Sequence, residues 1–173
     1  MPFVEVALLD IFTPQNGKSK YTKRYCEEHS GVYKLYSGNT DGAFSYIDTY
    51  DYEGDYLTWA KDGLAGYMMF HKNEKFSITG HRSILVMNEE REDIFLPYIK
   101  YILEPIFRDL IKGRLGELGK NEYTTLNPDM IKKADINILM PVNANGEYDL
   151  VEQQRLAGQY ELIEEKKAQI QDA

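Results

Sequence analysis

At 173 residues, with 43% hydrophobic and 28% charged side chains, the chain has the composition of one ordinary globular domain. It holds no apolar run long enough to span a bilayer. MPFVEVALLD has neither the basic start nor the long apolar centre of a secretory leader, so the expectation is a cytoplasmic chain with no membrane contact. A single cysteine, Cys26, excludes an internal disulfide framework, and the three scattered histidines (His29, His71, His81) argue against a zinc site, although Cys26 and His29 lie close together.

A net charge of −8 argues against nucleic acid until its distribution is considered. Residues 144–173 hold seven acids against three bases, which supplies half of the excess. Residues 16–36 hold five bases against two acids, a local +3. An acidic total therefore leaves room for a basic face, with weak and salt-sensitive attraction to phosphates.

The opening VEVALLDIF is apolar enough to be buried but too short to assign to helix or strand. The polar loop TPQNGKSKYTKRY follows, punctuated by Pro14 and Gly17. In it Lys18, Lys20, Lys23 and Arg24 alternate with Ser19, Tyr21 and Thr22. Cations neutralise phosphates and hydroxyls donate to their oxygens, so these are candidate phosphate contacts; a solvated loop has the same composition.

From Gly31 to Val86, short runs of Tyr, Ile, Val, Phe and Trp alternate with Gly, Asn, Asp and Lys clusters. That pattern predicts short strands joined by tight turns: Val32–Tyr36, Phe44–Ile47, Tyr56–Trp59, Gly66–Phe70, Phe76–Thr79 and Ile84–Met87. Phe44–Ile47 is expected to pair with Tyr56–Trp59 across a turn near Glu53-Gly54, and Lys72–Lys75 is expected to be a further turn. The glycines at 63 and 66 suggest positive φ or close backbone approach. The turns carry Ser37, Asn39, Thr40, Lys61, Asp62, His81 and Arg82, groups able to read base edges, though ordinary turn chemistry explains most of them. Trp59 and Tyr56 read as core.

The period changes after Asp93. Phe95, Ile99, Ile102, Ile106 and Leu110 mark an amphipathic helix that ends at Gly113 and packs on the sheet, with Pro105 expected to kink or split it. GRLGELGKNEYTTLN is a Gly-rich basic loop without a Gly-Lys-Ser/Thr ending; Arg114, Lys120 and Asn121 are its candidate phosphate contacts. Ile136–Pro141 is a further strand. Asp149 with Glu152 starts the last helix, along which Leu156, Tyr160, Ile163 and Ile170 form a stripe interrupted by Lys167, suited to pairing with a second helix.

YKLYSGNT, DYLTWAKDGLAG, KFSITG and INILMPVNANGEYDLVEQQRLAGQYELIEEKK together resemble the specificity subunits of type I restriction-modification systems, over nearly the whole chain from Leu8 to Ile170. The resemblance implies an α+β fold: a curved, Tyr-rich mixed β-sheet domain with packed helices and a protruding C-terminal coiled-coil-type helix. It implies a target-recognition domain over residues 1–148 and a spacer or dimerisation helix over 149–173. It also implies a non-catalytic reader of double-stranded DNA on which methyltransferase and restriction subunits assemble, with S-adenosylmethionine held by the methyltransferase rather than by this chain. A full subunit of that family carries two recognition domains; here there is one, with one helix and no internal repeat. A half-subunit that dimerises, a truncated frame and an excised domain all fit, and a homodimer would read an inverted repeat.

Other classes find less support. Cys26 with His29, and Asp48 with Asp51, lack a catalytic context. A Tyr-rich module binding carbohydrate or protein is the main alternative, against which the two basic loops count. A DNA mimic would array its acids as phosphates, whereas here they concentrate on the last helix.

Overall fold

The computed structural model describes residues 2–39, 41–112 and 125–172. The candidates Thr40, Arg114, Lys120 and Asn121 lie outside the described residues.

The ambiguous opening segment divides into three elements. Strand β1 (Phe3–Ala7) gives way to one helical turn, α1 (Leu8–Ile11), and then to β2 (Phe12–Asn16). The turn buries Leu8 and Ile11 and hands the chain from a small ribbon to the main sheet. The ribbon partner of β1 is β8 (Asn137–Pro141), antiparallel with Phe3 opposite Pro141 and Ala7 opposite Asn137.

The remaining strands are β3 (Ser30–Tyr36), β4 (Ser45–Ile47), β5 (Tyr52–Ala60), β6 (Met68–Ile78) and β7 (Arg82–Met87). With β2 they form a six-stranded sheet in the order β2-β7-β5-β6-β3-β4, antiparallel except for the β3–β6 pair. Two expected turns lie inside strands. Gly54 (φ +129°) sits in β5 where the pairing with β6 slips between Gly54 and Tyr56. Asn73 (φ +46°) sits in β6, its N–H donating to Asp55 Oδ1 at 2.6 Å. These positive-φ residues bend the long β5–β6 hairpin and do not end its strands. β4 therefore pairs with β3, not with β5 as its sequence neighbourhood suggests.

Helix α2 (Lys23–Glu28) begins inside the segment read as a polar loop and continues past it. Thr22 caps it, accepting from the Tyr25 N–H at 3.2 Å, and Cys26 is buried against Tyr21, Leu35 and Ile47. Helix α3 (Leu96–Lys112) runs on through Pro105. The missing N–H forgoes one backbone bond, but Pro105 is exposed, so the freed carbonyl can turn to water. The opposite face, Ile99, Leu103, Phe107 and Ile111, is fully or almost fully buried, with Phe107 edge-on to Trp59 at 5.3 Å. That burial outweighs one lost bond. Helix α4 (Pro128–Lys133) begins at the Asn127 cap, with Pro128 in its first turn.

The last helix, α5 (Leu150–Asp172), starts as the sequence predicts: Asp149 Oδ1 accepts from the Glu152 N–H at 3.0 Å. Only half of a capping box forms, because the Glu152 carboxylate turns to Arg155 and the Asp149 N–H goes to Pro141 O. Gln153 locks the helix to the body: its amide donates to Asp93 O at 2.9 Å and accepts from the Phe95 N–H at 2.8 Å. Beyond Ala157, residues 158–171 are all exposed. Among the described residues no helix is long and apolar enough to cross a membrane.

Candidate nucleic-acid interface

The turns singled out in the sequence are far apart along the chain, and the fold gathers most of them at one end of the sheet. The first link is at Gly17: its N–H donates to Arg82 O at 2.9 Å, and the next N–H, of Lys18, donates to Ile78 O at 3.1 Å. Ser19 lies on Gly80, where a Cβ would stand 3.3 Å from Ser19 Cα. Gly38 lies on the other side of the same turn, where a Cβ would be 3.5 Å from Asp62 O and 3.7 Å from His81 Cβ. Lys61 is pinned from both sides, its N–H to His81 O at 2.9 Å and its carbonyl to the Leu126 N–H at 2.8 Å. The loops at 17–22, 37–39, 61–67 and 79–82 thus form one surface, with residues 125–126 bracing it.

Beneath that surface lies a buried polar chain. Arg82 is 0% exposed, and its guanidinium donates to Ser37 O at 2.7 Å, Asn39 O at 2.9 Å and Thr58 Oγ1 at 3.1 Å. Arg82 is therefore no base reader; the fold spends its donors on holding the 37–39 backbone in place. Burial pulls the guanidinium down to about 10, still protonated at pH 7. Thr58 continues the chain to His71 Nε2 at 2.7 Å, and His71 Nδ1 meets Glu74 Oε2 at 2.7 Å. Tyr36 also donates to Glu74. Along Thr58, His71 and Glu74 the donors and acceptors match if His71 is neutral, with its proton on Nδ1 and Nε2 accepting from Thr58. Its burial, more than anything else, lowers it to about 4 despite the Glu74 carboxylate.

The phosphate-facing candidates divide in the same way. Tyr21 is 3% exposed and donates to Asp51 Oδ2 at 2.6 Å; burial and this bond push the phenol up, and it faces the interior, not a phosphate. Lys18 bonds Asp51 Oδ1 at 2.8 Å. Burial alone would raise the Asp51 carboxyl, but the bonds from Lys18 and Tyr21 prevail and hold it below the usual carboxylate range. Arg24 sits on Glu28 one turn on, at 3.0 Å. Ser19, Lys20 and Lys23 are exposed, and among the described residues neither lysine meets a carboxylate; Lys20 lies over the Tyr21 ring at 5.3 Å.

Among the base-edge candidates, Ser37 Oγ is shared with Thr79 Oγ1 at 2.8 Å, Asn39 is exposed with Nδ2 on Gly42 O at 3.2 Å, and Lys61 is half-buried. Asp62 has both oxygens engaged: Oδ2 with His81 Nδ1 and Oδ1 with the Thr125 hydroxyl, each at 2.9 Å. Reading the sequence missed Thr79, Thr125 and Leu64. Leu64 stands 55% exposed between Gly63 (φ +72°) and Gly66 (φ +89°), and Arg108 braces its loop through Ala65 O and the Tyr67 ring. The flanking glycines were the available signal. The enzymatic candidates separate: Asp48 pairs with His29 at 3.5 Å, Asp51 with Lys18, and Cys26 is buried.

On the last helix, Leu156 packs on the body and Tyr160 stacks on Tyr101 at 5.6 Å. Ile163, Lys167 and Ile170 remain exposed, together with Leu162, which the sequence reading left out.

The comparisons with known proteins agree with this architecture. A solved S subunit of a type I restriction-modification system from M. genitalium superposes with a TM-score of 0.65 at 20% identity, covering 98% of this chain and 41% of that one. The HsdS subunit of Thermoanaerobacter tengcongensis gives 0.64 at 16% identity, with 98% and 39% covered. In sequence, S.MpnORF507P of Mycoplasma pneumoniae is 38% identical over 101 residues, 57% of this chain and 27% of that protein. The type I restriction enzyme MpnII specificity subunit of the same organism is 32% identical over 110 residues, 62% of this chain and 33% of that protein. The chain thus spans about two fifths of the length of the solved subunits. The family described as type I restriction modification DNA specificity domain matches residues 2–171, and the chain belongs to it.

Proposed function

We propose that this chain is a single DNA target-recognition domain of a type I restriction-modification system, reading one half of a split target without chemistry of its own. The observation that carries this reading is the convergence of four loops on one surface in a chain matched to the DNA specificity family over residues 2–171. Residues 1–148 would face the DNA, with Ser19, Lys20 and Lys23 toward phosphates and Asn39, Lys61 and His81 toward base edges. Residues 149–173 would supply the helix for a second recognition domain, a second copy of this chain or the methyltransferase. S-adenosylmethionine would then be bound by the methyltransferase, in the cytoplasm. The relatives' names support this reading, being those of specificity subunits.

Selection from a random duplex library tests it, with the chain alone and assembled with a type I methyltransferase subunit. Enrichment of a short motif is the expected result. Binding that only fades with salt, with no motif in either form, would leave backbone attraction and refute sequence reading.

A further inference from the structure

The His81–Asp62 pair on the loop surface is held by hydrogen bonds from several sides. His81 has a side chain 69% exposed, yet its Nδ1 lies 2.9 Å from Asp62 Oδ2. Asp62 is itself held by Thr125 Oγ1 at 2.9 Å, and the backbone on which it sits is fixed by Lys61 to residues 81 and 126. A carboxylate can only accept, so the proton of a neutral imidazole must reside on Nδ1 and Nε2 must be an acceptor. Gly38 closes against the pair from one side and Ser19 lies against Gly80 on the other, so the exposed His81 ring belongs to the shared loop surface, with Nδ1 engaged by Asp62. Asp62 already has each oxygen engaged, one with His81 and one with Thr125, and its charge opposes the phosphates.

We propose that Asp62 is a positioning residue, and that His81 Nε2 accepts a hydrogen bond from an exocyclic amino group, N6 of adenine or N4 of cytosine, at one position of the half-site. This deepens the DNA-recognition reading above and rests on it. Guanine and thymine offer only acceptors at that edge of the major groove, so an accepting nitrogen discriminates against both.

The test repeats the duplex selection with the native sequence, His81→Ala and Asp62→Asn, alone and with the methyltransferase subunit. An asparagine amide can turn its NH2 toward Nδ1, moving the ring proton to Nε2 and turning the acceptor into a donor. The expected result is a native motif with adenine or cytosine at one position. His81→Ala should lose that preference by about tenfold and Asp62→Asn should lose or invert it, with the other positions kept. Because both groups reach the surface, unchanged melting temperatures should accompany the change. If either variant melts lower, an intact-protein measurement decides: purine in place of the adenine, or pyrimidin-2-one in place of the cytosine, should weaken native binding by about tenfold. No native motif at all would refute the DNA-recognition reading itself. A motif that both variants and the base analogue leave intact would overturn only the role of His81. Affinity lost equally for all sequences would assign His81 to a phosphate, which also overturns it.

Discussion

At the scale of single residues, the interface depends on groups that never reach its surface. Arg82 replaces solvent with two carbonyls and a hydroxyl, and through them fixes the backbone that presents Asn39. Arg82→Met keeps the stem but removes the donor from the buried Thr58 hydroxyl and from two part-buried carbonyls, and should cost about 3 kcal/mol, read from the urea midpoint. Motif selectivity should fall with it, because the 37–39 backbone loses its anchor. His71 gives a pH dependence whose sign follows from its burial. Its folded value lies near 4, below the roughly 6.5 of an unfolded histidine. Between these values the unfolded chain binds the extra proton, so stability is full above about pH 6.5 and declines as the pH falls toward 4, by about 3 kcal/mol. Urea midpoints across that range should show the slope, and His71→Phe should reduce it.

At the scale of elements, the decisive contact is between two loops and has no room for a side chain. A Cβ on Gly17 would lie 2.0 Å from Thr79 O and 2.8 Å from Arg82 O, backbone atoms of the β6–β7 connection and of the first residue of β7. Gly17→Ala should therefore separate the basic loop from the His81 turn. The cost should exceed roughly 2 kcal/mol in thermal or urea unfolding, with a matching loss of DNA binding. The glycine was legible in the sequence as a break, but its partner was not. The same division runs through the fold. The positions of β3, β4, β5, β7 and β8 followed from alternation, which is local, whereas β1 and β2 went unassigned and β6 was divided in two. The pairing of β3 with β6 joins residues 42 apart in the chain, such as Lys34 with Phe76, and no local signal marks it. Gly54 and Asn73 read as turns because a bulge and a turn ask for the same positive φ. In the interface, residue types identified the loops, whereas the burial of Arg82 and Tyr21 depended on Ser37, Thr58 and Asp51 arriving from elsewhere. Helix α2 went unread because its cationic face resembles a phosphate loop, although Thr22 marked its start.

At the scale of the whole molecule, charge and apolar surface are segregated. Ser19, Lys20 and Lys23 adjoin the loop surface, while seven acids occupy residues 144–173. Beyond Tyr160, which still stacks on Tyr101, the eleven residues 161–171 are all exposed and span about 16 Å at the helical rise. Its large apolar groups stay open: Leu162 at 50%, Ile163 at 49% and Ile170 at 74%. Ile163 and Ile170 are one heptad apart, so they share a face, and Tyr160 marks where that face leaves α3. Such a stripe reaches water only at a hydrophobic cost that a second helix removes. Glutamate at both positions, Ile163→Glu with Ile170→Glu, should leave the melting temperature of the body unchanged within a degree or two, since neither side chain packs on it. In sedimentation, the native chain should form a dimer and the double variant a monomer. A native monomer whose methyltransferase binding is lost in the double variant would assign the stripe to that subunit instead. The DNA then gives an independent reading: a dimer selects two inverted copies of the half-site at fixed spacing, whereas a monomer on a methyltransferase selects one.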